Sequence, residues 1–456
     1  MKNFTIGNVC RACGGQWLGE ASALLTELSA VTTDSRAVTP GCLFAAIPGE
    51  RVDGHDFIAS AIEKGAACAL AQRAPEGVER NIILVPDTVA ALQAAAGFYR
   101  AQFDIPVLGI TGSVGKTTAK ELTAAVLGQR FRVHKTAGNF NNDLGVPITL
   151  FGLDESHEAA VVEMGVSHPG DMVRLAEMVR PTMALYTVIG HAHLEFLKSR
   201  AGILAEKSLM NAYLPPDGVV IANGDDDLLA AMACDRRKLT FGQGEGCDVR
   251  AVDIRPLPDG GTACAIVAGA RRMEVAIHAY GEHMAYAALE GAAVGIAMGL
   301  TDEEIVRGIA QYEPVGRRAR RIRTGKLTII DDCYNANPTS VGSAIRSLSR
   351  CVGRKVCILG DMLELGDDAR ALHFQTGELA RACGIDLVLT AGELAAEIAR
   401  GAGQPEHSFA DRETLIAALP GLLSRGDTVL VKASRSMRFE EITAALEQIK
   451  LRQQKR

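Results

Sequence analysis

The stretch Ile105-Pro-Val-Leu-Gly-Ile-Thr111, followed directly by Gly112-Ser-Val-Gly-Lys-Thr-Thr118, decides the fold. Its apolar first half predicts a short buried strand, and the residues from 116 to 129 predict a helix. Glycines let the turn between them fold tightly, so that several backbone N–H groups point at one phosphate. The positive end of the helix adds to that field. The predicted phosphate-binding residues are Gly112, Ser113, Val114, Gly115, Lys116, Thr117 and Thr118.

The loop is shorter than the common P-loop, in which a glycine stands five residues before the glycine of the Gly-Lys pair. Here that position holds Ile110. Lys116 would contact the β- and γ-phosphates of a nucleotide, and the hydroxyl of Thr117 would bind Mg²⁺. The alternative is a glycine-rich turn with a solvated lysine, but the strand–loop–helix context favours nucleotide binding. Kinases, NTPase motors and ATP-driven ligases all use such a loop, so it does not identify the reaction.

Strands and helices alternate on both sides of this loop. After it, strands at 159–164, 183–188 and 218–223 alternate with helices, which predicts a mostly parallel sheet covered on both faces. A β-rich stretch and a helix at 284–298 complete this unit. A smaller unit with strands at 42–47 and 67–71 precedes it, and a second alternation follows Pro314-Val-Gly316. We therefore predict an α/β fold of three domains, at 1–86, 87–313 and 314–456.

Composition narrows the class of protein. The chain has 456 residues, 48% hydrophobic and 22% charged, which is typical of a globular protein of about three domains. A formal net charge of −6 argues against a nucleic-acid binder. The longest apolar stretch, at 284–300, is interrupted by Glu290 and predicts a buried helix rather than a membrane span. The N-terminus lacks a signal-peptide pattern and the 11 cysteines are scattered, so we expect reduced thiols in the cytoplasm.

Several polar residues stand at predicted strand ends, where open α/β sheets bind ligands. Glu163 ends a strand and is a candidate Mg²⁺ ligand, although a capping or salt-bridged glutamate is the alternative. His191 and His193 follow the next strand, and either could bind metal or serve a structural hydrogen bond. The amide-rich stretch at 139–143 and the polar clusters at 331–338 and 360–366 suit sugars, pyrophosphates or peptides, or are simply turns.

Two groups of basic residues are unusual. Lys207 shares a helical stripe with Ile203, Met210 and Leu214, so its amine must be paired, chemically altered or extended to solvent. Five arginines between 317 and 323 crowd the predicted second linker. Because the chain is acidic overall, we expect a phosphate-facing arginine among solvated ones rather than an RNA-binding patch.

The shortened loop resembles that of the Mur ligases and folylpolyglutamate synthases. Four further motifs narrow the resemblance to the Mur ligases, and their order and spacing extend from Asp34 to the last helix. These motifs are Ala137-Gly-Asn-Phe-Asn-Asn-Asp-Leu-Gly-Val-Pro147, Asp332-Cys-Tyr-Asn-Ala-Asn-Pro338, Gly360-Asp-Met-Leu-Glu-Leu-Gly366 and Val431-Lys-Ala-Ser-Arg-Ser-Met437. The Asp-Asn-Pro-Arg motif that MurE ligases carry late in the chain is absent from this sequence.

The resemblance implies an activity. It implies an N-terminal domain that binds a UDP end, a central ATPase and a C-terminal Rossmann-like domain. Together these would use ATP to add D-alanyl-D-alanine to UDP-N-acetylmuramoyl-tripeptide through an acyl phosphate, in peptidoglycan precursor synthesis. The expected partners are these small molecules alone, in a cytoplasmic monomer. The alternatives are another Mur-type or folylpolyglutamate-type ligase, a P-loop kinase of a small metabolite, and a nucleotide-binding scaffold without turnover.

The resemblance also implies roles for individual residues. Lys116, Lys207 and His193 would be catalytic, with Lys207 carried as a carbamate, and Thr117, Glu163 and His193 would bind Mg²⁺. His283, Asp332 and Asn335 would contact the nucleotide. The expected substrate-binding residues are Thr33, Asp34, Ser35 and Arg36 for the uridine nucleotide, Asn139 and Asn142 for the muramoyl-peptide, and Lys432, Ser434 and Arg435 for the dipeptide.

One segment departs from the family pattern. The family has Gly-x-His-Asn-x-x-Asn before the last long helix of the central domain, and this chain has Gly281-Glu-His-Met-Ala-Tyr-Ala287. His283 is retained, but Met284 and Ala287 replace both asparagines. Contacts to adenine that the family makes there must therefore be made by another residue or be missing.

Overall fold

The strands form three separate sheets in the computed structural model, which describes residues 1–49, 51–78, 80–257 and 261–451. Within these residues the sheets have five, nine and six strands, in chain order. Each sheet is mostly parallel and is covered by helices. The predicted three-domain α/β class is confirmed, while the predicted domain boundaries remain predictions.

The N-terminal sheet has the strand order β1-β5-β4-β3-β2, with β1 antiparallel to β5 and the other pairs parallel. Its strands are β1 (Gln16–Leu18), β2 (Val31–Thr32), β3 (Leu43–Ala45), β4 (Cys68–Ala71) and β5 (Ile82–Leu84). The helices of this part are α1 (Ile6–Cys13), α2 (Ile58–Glu63) and α3 (Thr88–Arg100). The phenol of Tyr99 on α3 donates to the carbonyl of Leu153 at 2.7 Å, and its ring packs against Phe4 and Phe151. One apolar core therefore continues from this part into the central one.

The central sheet has the order β14-β13-β12-β11-β10-β9-β6-β8-β7, parallel up to β12 and antiparallel beyond it. Its strands are β6 (Val107–Thr111), β7 (Val133–Lys135), β8 (Ala159–Glu163), β9 (Met183–Tyr186), β10 (Val219–Asn223), β11 (Arg237–Gly242), β12 (Val249–Pro256), β13 (Thr262–Ala268) and β14 (Arg271–Ile277). Its helices are α4 (Lys116–Leu127), α5 (Gly145–Phe151), α6 (Asp171–Val179), α7 (Leu194–Leu197), α8 (Arg200–Ser208), α9 (Asp227–Ala231), α10 (Met284–Ala297) and α11 (Asp302–Ala310).

Alternating side chains of the central strands enter two different cores. On β6, Val107 packs in the core beneath α3 and α6, while Leu108 and Ile110 pack in the core beneath α4 and α10. This alternation follows from the two-residue period of a strand. The chain runs from β6 to β7 and β8 on one side and to β9 and β10 on the other. The loop after β6 therefore lies where the strand order reverses, which is the usual ligand position in such sheets.

The C-terminal sheet has the order β15-β16-β20-β17-β18-β19, all parallel except the pair β15 and β16. Its strands are β15 (Arg320–Arg323), β16 (Thr328–Asp331), β17 (Lys355–Gly360), β18 (Leu387–Ala391), β19 (Ser408–Phe409) and β20 (Thr428–Lys432). Its helices are α12 (Pro338–Ser349), α13 (Ala369–Ala382), α14 (Ala395–Ala402), α15 (Arg412–Leu422) and α16 (Glu440–Glu447). Among the residues described, no helix has both the length and the apolar character to cross a membrane.

Two local expectations were wrong, and one helix was not predicted. The arginine-rich stretch forms the edge strand β15 rather than a linker, because its backbone pairs with β16 and leaves its arginine side chains mostly exposed. The predicted helical stripe of Ile203, Lys207, Met210 and Leu214 is not one α-helix, because α8 ends at Ser208 and continues as a 3₁₀ turn, Leu209–Tyr213. Helix α15 was missed, although Asp411 is an N-cap whose carboxylate accepts from the backbone N–H of Thr414 at 2.8 Å.

Candidate active site

A cleft of about 320 Å³ lies between the central and C-terminal sheets, at the carboxyl end of β6. The two domains are in contact, and the N–H of His191 donates to the hydroxyl of Thr339 at 3.1 Å. Most of the predicted site residues line this cleft. They are Ser113, Val114, Gly115, Lys116, Thr117, Thr118, Asn139, Asn142, Glu163, His193, His283, Asp332, Asn335 and Lys432.

The loop between β6 and α4 needs its glycines. Gly112 has a φ of +149°, and a Cβ there would lie 2.0 Å from the hydroxyl oxygen of Thr187. Gly115 has a φ of +88° and stands directly before α4, so the N-terminus of that helix opens into the cleft. The ammonium of Lys116 donates to the carbonyl of Gly112 at 2.7 Å. Burial lowers the pKa of Lys116, and the charge of Glu163 opposes that shift.

Glu163 meets the loop from the end of β8. Its carboxylate oxygens accept from the hydroxyl of Thr117 at 3.0 and 3.1 Å, and one accepts from the side-chain amide of Asn141 at 2.7 Å. The carboxylate is almost fully buried, and the ammonium of Lys120 lies 3.9 Å away. Carboxylate and hydroxyl oxygens are the kind of ligand that Mg²⁺ takes, so Glu163 and Thr117 fit that ion, while Asn141 donates its amide N–H to the same carboxylate. Asn141 was missed in the sequence, where Asn139 and Asn142 were chosen from the same cluster.

His193 also lines the cleft, in a left-handed backbone conformation with a φ of +55°. Its Nδ1 is 2.5 Å from a carboxylate oxygen of Glu364, which belongs to the polar cluster at 360–366 of the C-terminal domain. This contact lowers the pKa of Glu364. His193 therefore connects the two domains and leaves its second ring nitrogen for another partner.

Lys207 is buried on α8, with a residue exposure of 1%. Burial, followed by the nearby charge of Lys116, lowers its pKa well below the ordinary value, while Glu206 and Asp171 oppose the shift. Among the residues described, none donates to or accepts from its amino group. The sequence expectation that this lysine lies on a buried stripe is confirmed. The side chain of Lys207 does not extend to solvent.

The C-terminal wall of the cleft is built around Asp332. Its carboxylate accepts from the ammonium of Lys432 at 2.6 Å and from the N–H of Ala319 at 3.1 Å. Lys432 also donates to the carbonyl of Asn335 at 2.9 Å. The guanidinium of Arg318 lies 4.1 Å from the ring centroid of Tyr334, and both line the cleft. One arginine of the predicted basic cluster thus faces the phosphate loop.

A second cavity of about 380 Å³ opens on the other side of the phosphate loop. The cleft and this second cavity share lining residues, among them Val114, Gly115, Thr118 and His283. His283 is half-buried, and its Nδ1, which is shielded from solvent, has no hydrogen-bond partner in the described structure. Burial lowers the pKa of its ring. The segment at 223–227 also faces this cavity and was not singled out in the sequence.

Six predicted site residues of the N- and C-terminal domains line neither cavity, and neither do Gly112 and Lys207. Asp34 and Arg36 form an exposed ion pair at 2.8 Å, and this pairing lowers the pKa of Asp34 to about 2. Ser434 accepts from the N–H of Leu363 at 3.0 Å, and the side chain of Arg435 is largely exposed. The six residues are Thr33, Asp34, Ser35, Arg36, Ser434 and Arg435.

Models of three protein families match the chain in succession. "Mur ligase family, catalytic domain" matches residues 27–100, "Mur ligase middle domain" matches 110–295, and "Mur ligase, glutamate ligase domain" matches 317–435. A UDP-N-acetylmuramoyl-tripeptide–D-alanyl-D-alanine ligase from Bacillus subtilis is 38% identical over 433 residues, which cover 92% of this chain and 93% of that protein. The chain belongs to the Mur ligase family.

Solved structures agree with this Mur ligase assignment. A crystal structure of MurF from Acinetobacter baumannii has a TM-score of 0.92 at 32% identity, and the match covers 98% of this chain and 99% of that one. A MurF ligase from Thermotoga maritima in complex with ADP has a TM-score of 0.83 at 29% identity, covering 92% and 97%. The similarity therefore extends over all three domains of this Mur ligase.

Proposed function

We propose that this Mur ligase uses ATP to join D-alanyl-D-alanine to UDP-N-acetylmuramoyl-tripeptide, with release of ADP and phosphate. The observation that carries the proposal is the cleft in which the phosphate loop and Glu163 face Asp332 and Asn335 of the C-terminal domain. The high coverage of the Bacillus subtilis ligase supports the choice of substrates. We propose the cytoplasm as its compartment, because all 11 cysteines are free thiols, and a monomer as its working form.

The first step would activate the terminal carboxylate of the tripeptide. One of its oxygens attacks the γ-phosphorus, the bond from that phosphorus to the β–γ bridging oxygen breaks, and an acyl phosphate and ADP form. Two negatively charged groups must approach each other, so positive charge must be in place beforehand. Lys116 and the N–H groups at the start of α4 supply it at the loop, and Arg318 supplies it from the opposite wall.

We propose that Thr117, Glu163 and His193 hold Mg²⁺ beside the loop, with Asn141 fixing the carboxylate of Glu163. When bound, the ion would neutralise phosphate charge. Asn141 also keeps Glu163 turned toward Thr117.

We propose that Lys207 reacts with CO₂ to form a carbamate. The neutral amine is the nucleophile, its nitrogen bonds to the carbon of CO₂, and one proton is released to solvent. Burial lowers the pKa of the amine well below its ordinary value, which favours the neutral form. The product is an anion on a buried helix face. The positive charge of Lys116, which lowers the pKa of the unmodified Lys207, would stabilise this anion.

The second step would join the two substrates. The neutral amine of the dipeptide attacks the acyl carbon, and the tetrahedral intermediate expels inorganic phosphate. We propose Lys432, Ser434 and Arg435 near the dipeptide, Asn139 and Asn142 near the muramoyl-peptide, and the segment at 33–36 near the uridine nucleotide. The contacts of His191 and His193 with the C-terminal domain hold the cleft closed, which excludes water from the acyl phosphate.

The test is phosphate release from ATP and Mg²⁺ with the UDP-tripeptide, with and without D-alanyl-D-alanine. We expect sustained release only with both substrates, and a product mass equal to their sum less one water. Phosphorylated product that forms without the amine would identify a kinase instead. ATP binding without release under any combination would identify a scaffold.

A further inference from the structure

The second cavity contains a buried acid that the reaction above does not use. Glu290 lies on α10 with a residue exposure of 4%, and its side chain lines this cavity. Among the residues described, none forms a hydrogen bond or ion pair with its carboxyl group. An unpaired buried carboxyl is costly unless it is neutral or meets a ligand.

The position of Glu290 on the helix relates it to the departure from the family pattern. His283, Tyr286, Ala287 and Glu290 form one face of α10, because residues three and four apart lie side by side on a helix. Ala287 has only a methyl group on this face. The longer side chain of Glu290, one turn further on, therefore has room to reach the space that an asparagine at 287 would fill.

The cavity is placed to receive the base of a nucleotide held by the loop. Gly115 and Thr118 belong to the start of α4 and line both spaces, so a nucleotide whose phosphates lie in the cleft can extend past them. On the far side, the phenol of Tyr286 donates to the carboxylate of Asp225 at 2.8 Å. This pair leaves the Tyr286 ring and Ala287 as an apolar wall beside Glu290.

We infer that Glu290 is the residue that recognises adenine in this chain, acting as a neutral carboxylic acid. Burial raises the pKa of Glu290 well above the ordinary value, which favours the protonated form of this unpaired carboxyl. A neutral carboxyl has one O–H donor and one carbonyl acceptor, which is the pattern of an asparagine amide. Along one edge adenine offers the N7 acceptor beside its 6-amino donor, so the two groups match. This inference rests on ATP being the substrate.

The same pattern excludes purines that have an oxygen at position 6. Guanine and hypoxanthine present two acceptors, O6 and N7, along that edge. The carbonyl oxygen of Glu290 would then face another oxygen. We therefore expect ADP to bind at least ~10-fold more tightly than inosine diphosphate, since a site built for a donor rejects an analogue that lacks it.

The test measures binding of ADP and inosine diphosphate to the full-length chain by calorimetry. Glu290→Met keeps the volume and removes both polar atoms. It should weaken ADP binding ~10-fold, the effect of losing a buried hydrogen-bonded pair, and abolish the preference for ADP. Glu290→Gln keeps one donor and one acceptor, and should stay within ~3-fold of the wild type on the same reasoning. Glu303→Met, on the exposed face of α11, is the control and should change neither affinity.

Each other outcome overturns a specific statement. If Glu290→Met bound ADP as tightly as the wild type does, and with the same preference over inosine diphosphate, the assignment of Glu290 would be overturned. Equal weakening of ADP and inosine diphosphate in that variant would show a structural role and would also overturn it. Failure of the wild-type chain to bind ADP at all would instead contradict the proposed function.

Discussion

The phosphate end and the base end of the nucleotide site are built in opposite ways. At the phosphate end, Lys116, Thr117 and Glu163 already hold one another or the loop backbone within 3.1 Å. At the base end, Nδ1 of His283 is unpaired and the carboxyl of Glu290 faces a cavity. The phosphate end is therefore already arranged to bind the charged phosphates, whereas the polar groups of the base end find partners only when the ligand binds. Changes at the phosphate end should therefore affect turnover, and changes at the base end should affect affinity and selectivity.

The largest effect should come from Lys116→Ala. It removes the one loop side chain that places positive charge against the transferring phosphoryl group, so ADP formation should fall by about 10³-fold or more. Binding of the UDP-tripeptide should persist, since that substrate is proposed to bind the N-terminal domain. Rates are measured by coupled ADP release and binding by calorimetry. Turnover retained in this variant would refute the assignment of the phosphate loop.

Glu163→Gln should have the second-largest effect on turnover. The amide keeps the size of the side chain but removes the charge that Thr117 and Asn141 orient, so kcat should fall about 10²-fold and the Mg²⁺ requirement should rise. Glu121→Gln is the matched control, because Glu121 is a neighbouring carboxylate paired with Lys120 and Lys135. An equal loss in both variants would mean that only the general charge of this region matters.

Lys207 gives a smaller and reversible effect. Exhaustive removal of CO₂ and bicarbonate should lower kcat several-fold, because the carbamate reverts to an amine, and added bicarbonate should restore it. Lys207→Ala should be insensitive to bicarbonate but partly rescued by a small carboxylate in the buffer. Intact-mass measurement at alkaline pH should show an addition of about 44 Da, the mass of CO₂, in the wild type alone. Wild-type activity unchanged without CO₂ would remove the carbamate from the mechanism.

The smallest effect concerns stability at the base end. The raised pKa of Glu290 means that the folded chain keeps a proton that the unfolded chain releases above about pH 4.3. Wild-type stability should thus fall as pH rises from there toward the folded pKa, by up to about 1.4 kcal/mol per pH unit. Glu290→Gln lacks this proton, so its Tm should exceed that of the wild type by a margin that grows as the pH rises toward the folded-state pKa of Glu290. Parallel Tm curves would show that Glu290 is already ionised.

The contrast between the two ends also explains what the sequence could predict. The strand, the glycines and Lys116 are adjacent in the chain, so local backbone geometry alone indicated the phosphate loop. Glu163 ends a buried strand and Asp332 directly follows another, and parallel strands end at one edge of a sheet, so both positions could be singled out. The base cavity unites the segment at 223–227 with Tyr286 and Glu290, which only tertiary packing brings together. Asn141 was missed because three asparagines stand side by side or nearly so, and only the fold shows which of them faces Glu163.

The isotope content of the released phosphate tests the central claim, that the cleft activates a carboxylate. The UDP-tripeptide is labelled with ¹⁸O in its terminal carboxylate and incubated with ATP, Mg²⁺ and D-alanyl-D-alanine, and the phosphate is analysed by mass spectrometry. An acyl phosphate requires that one labelled oxygen leaves with the phosphate, so each turnover should transfer one ¹⁸O. Phosphate without label, formed while the amide product accumulates, would contradict the account.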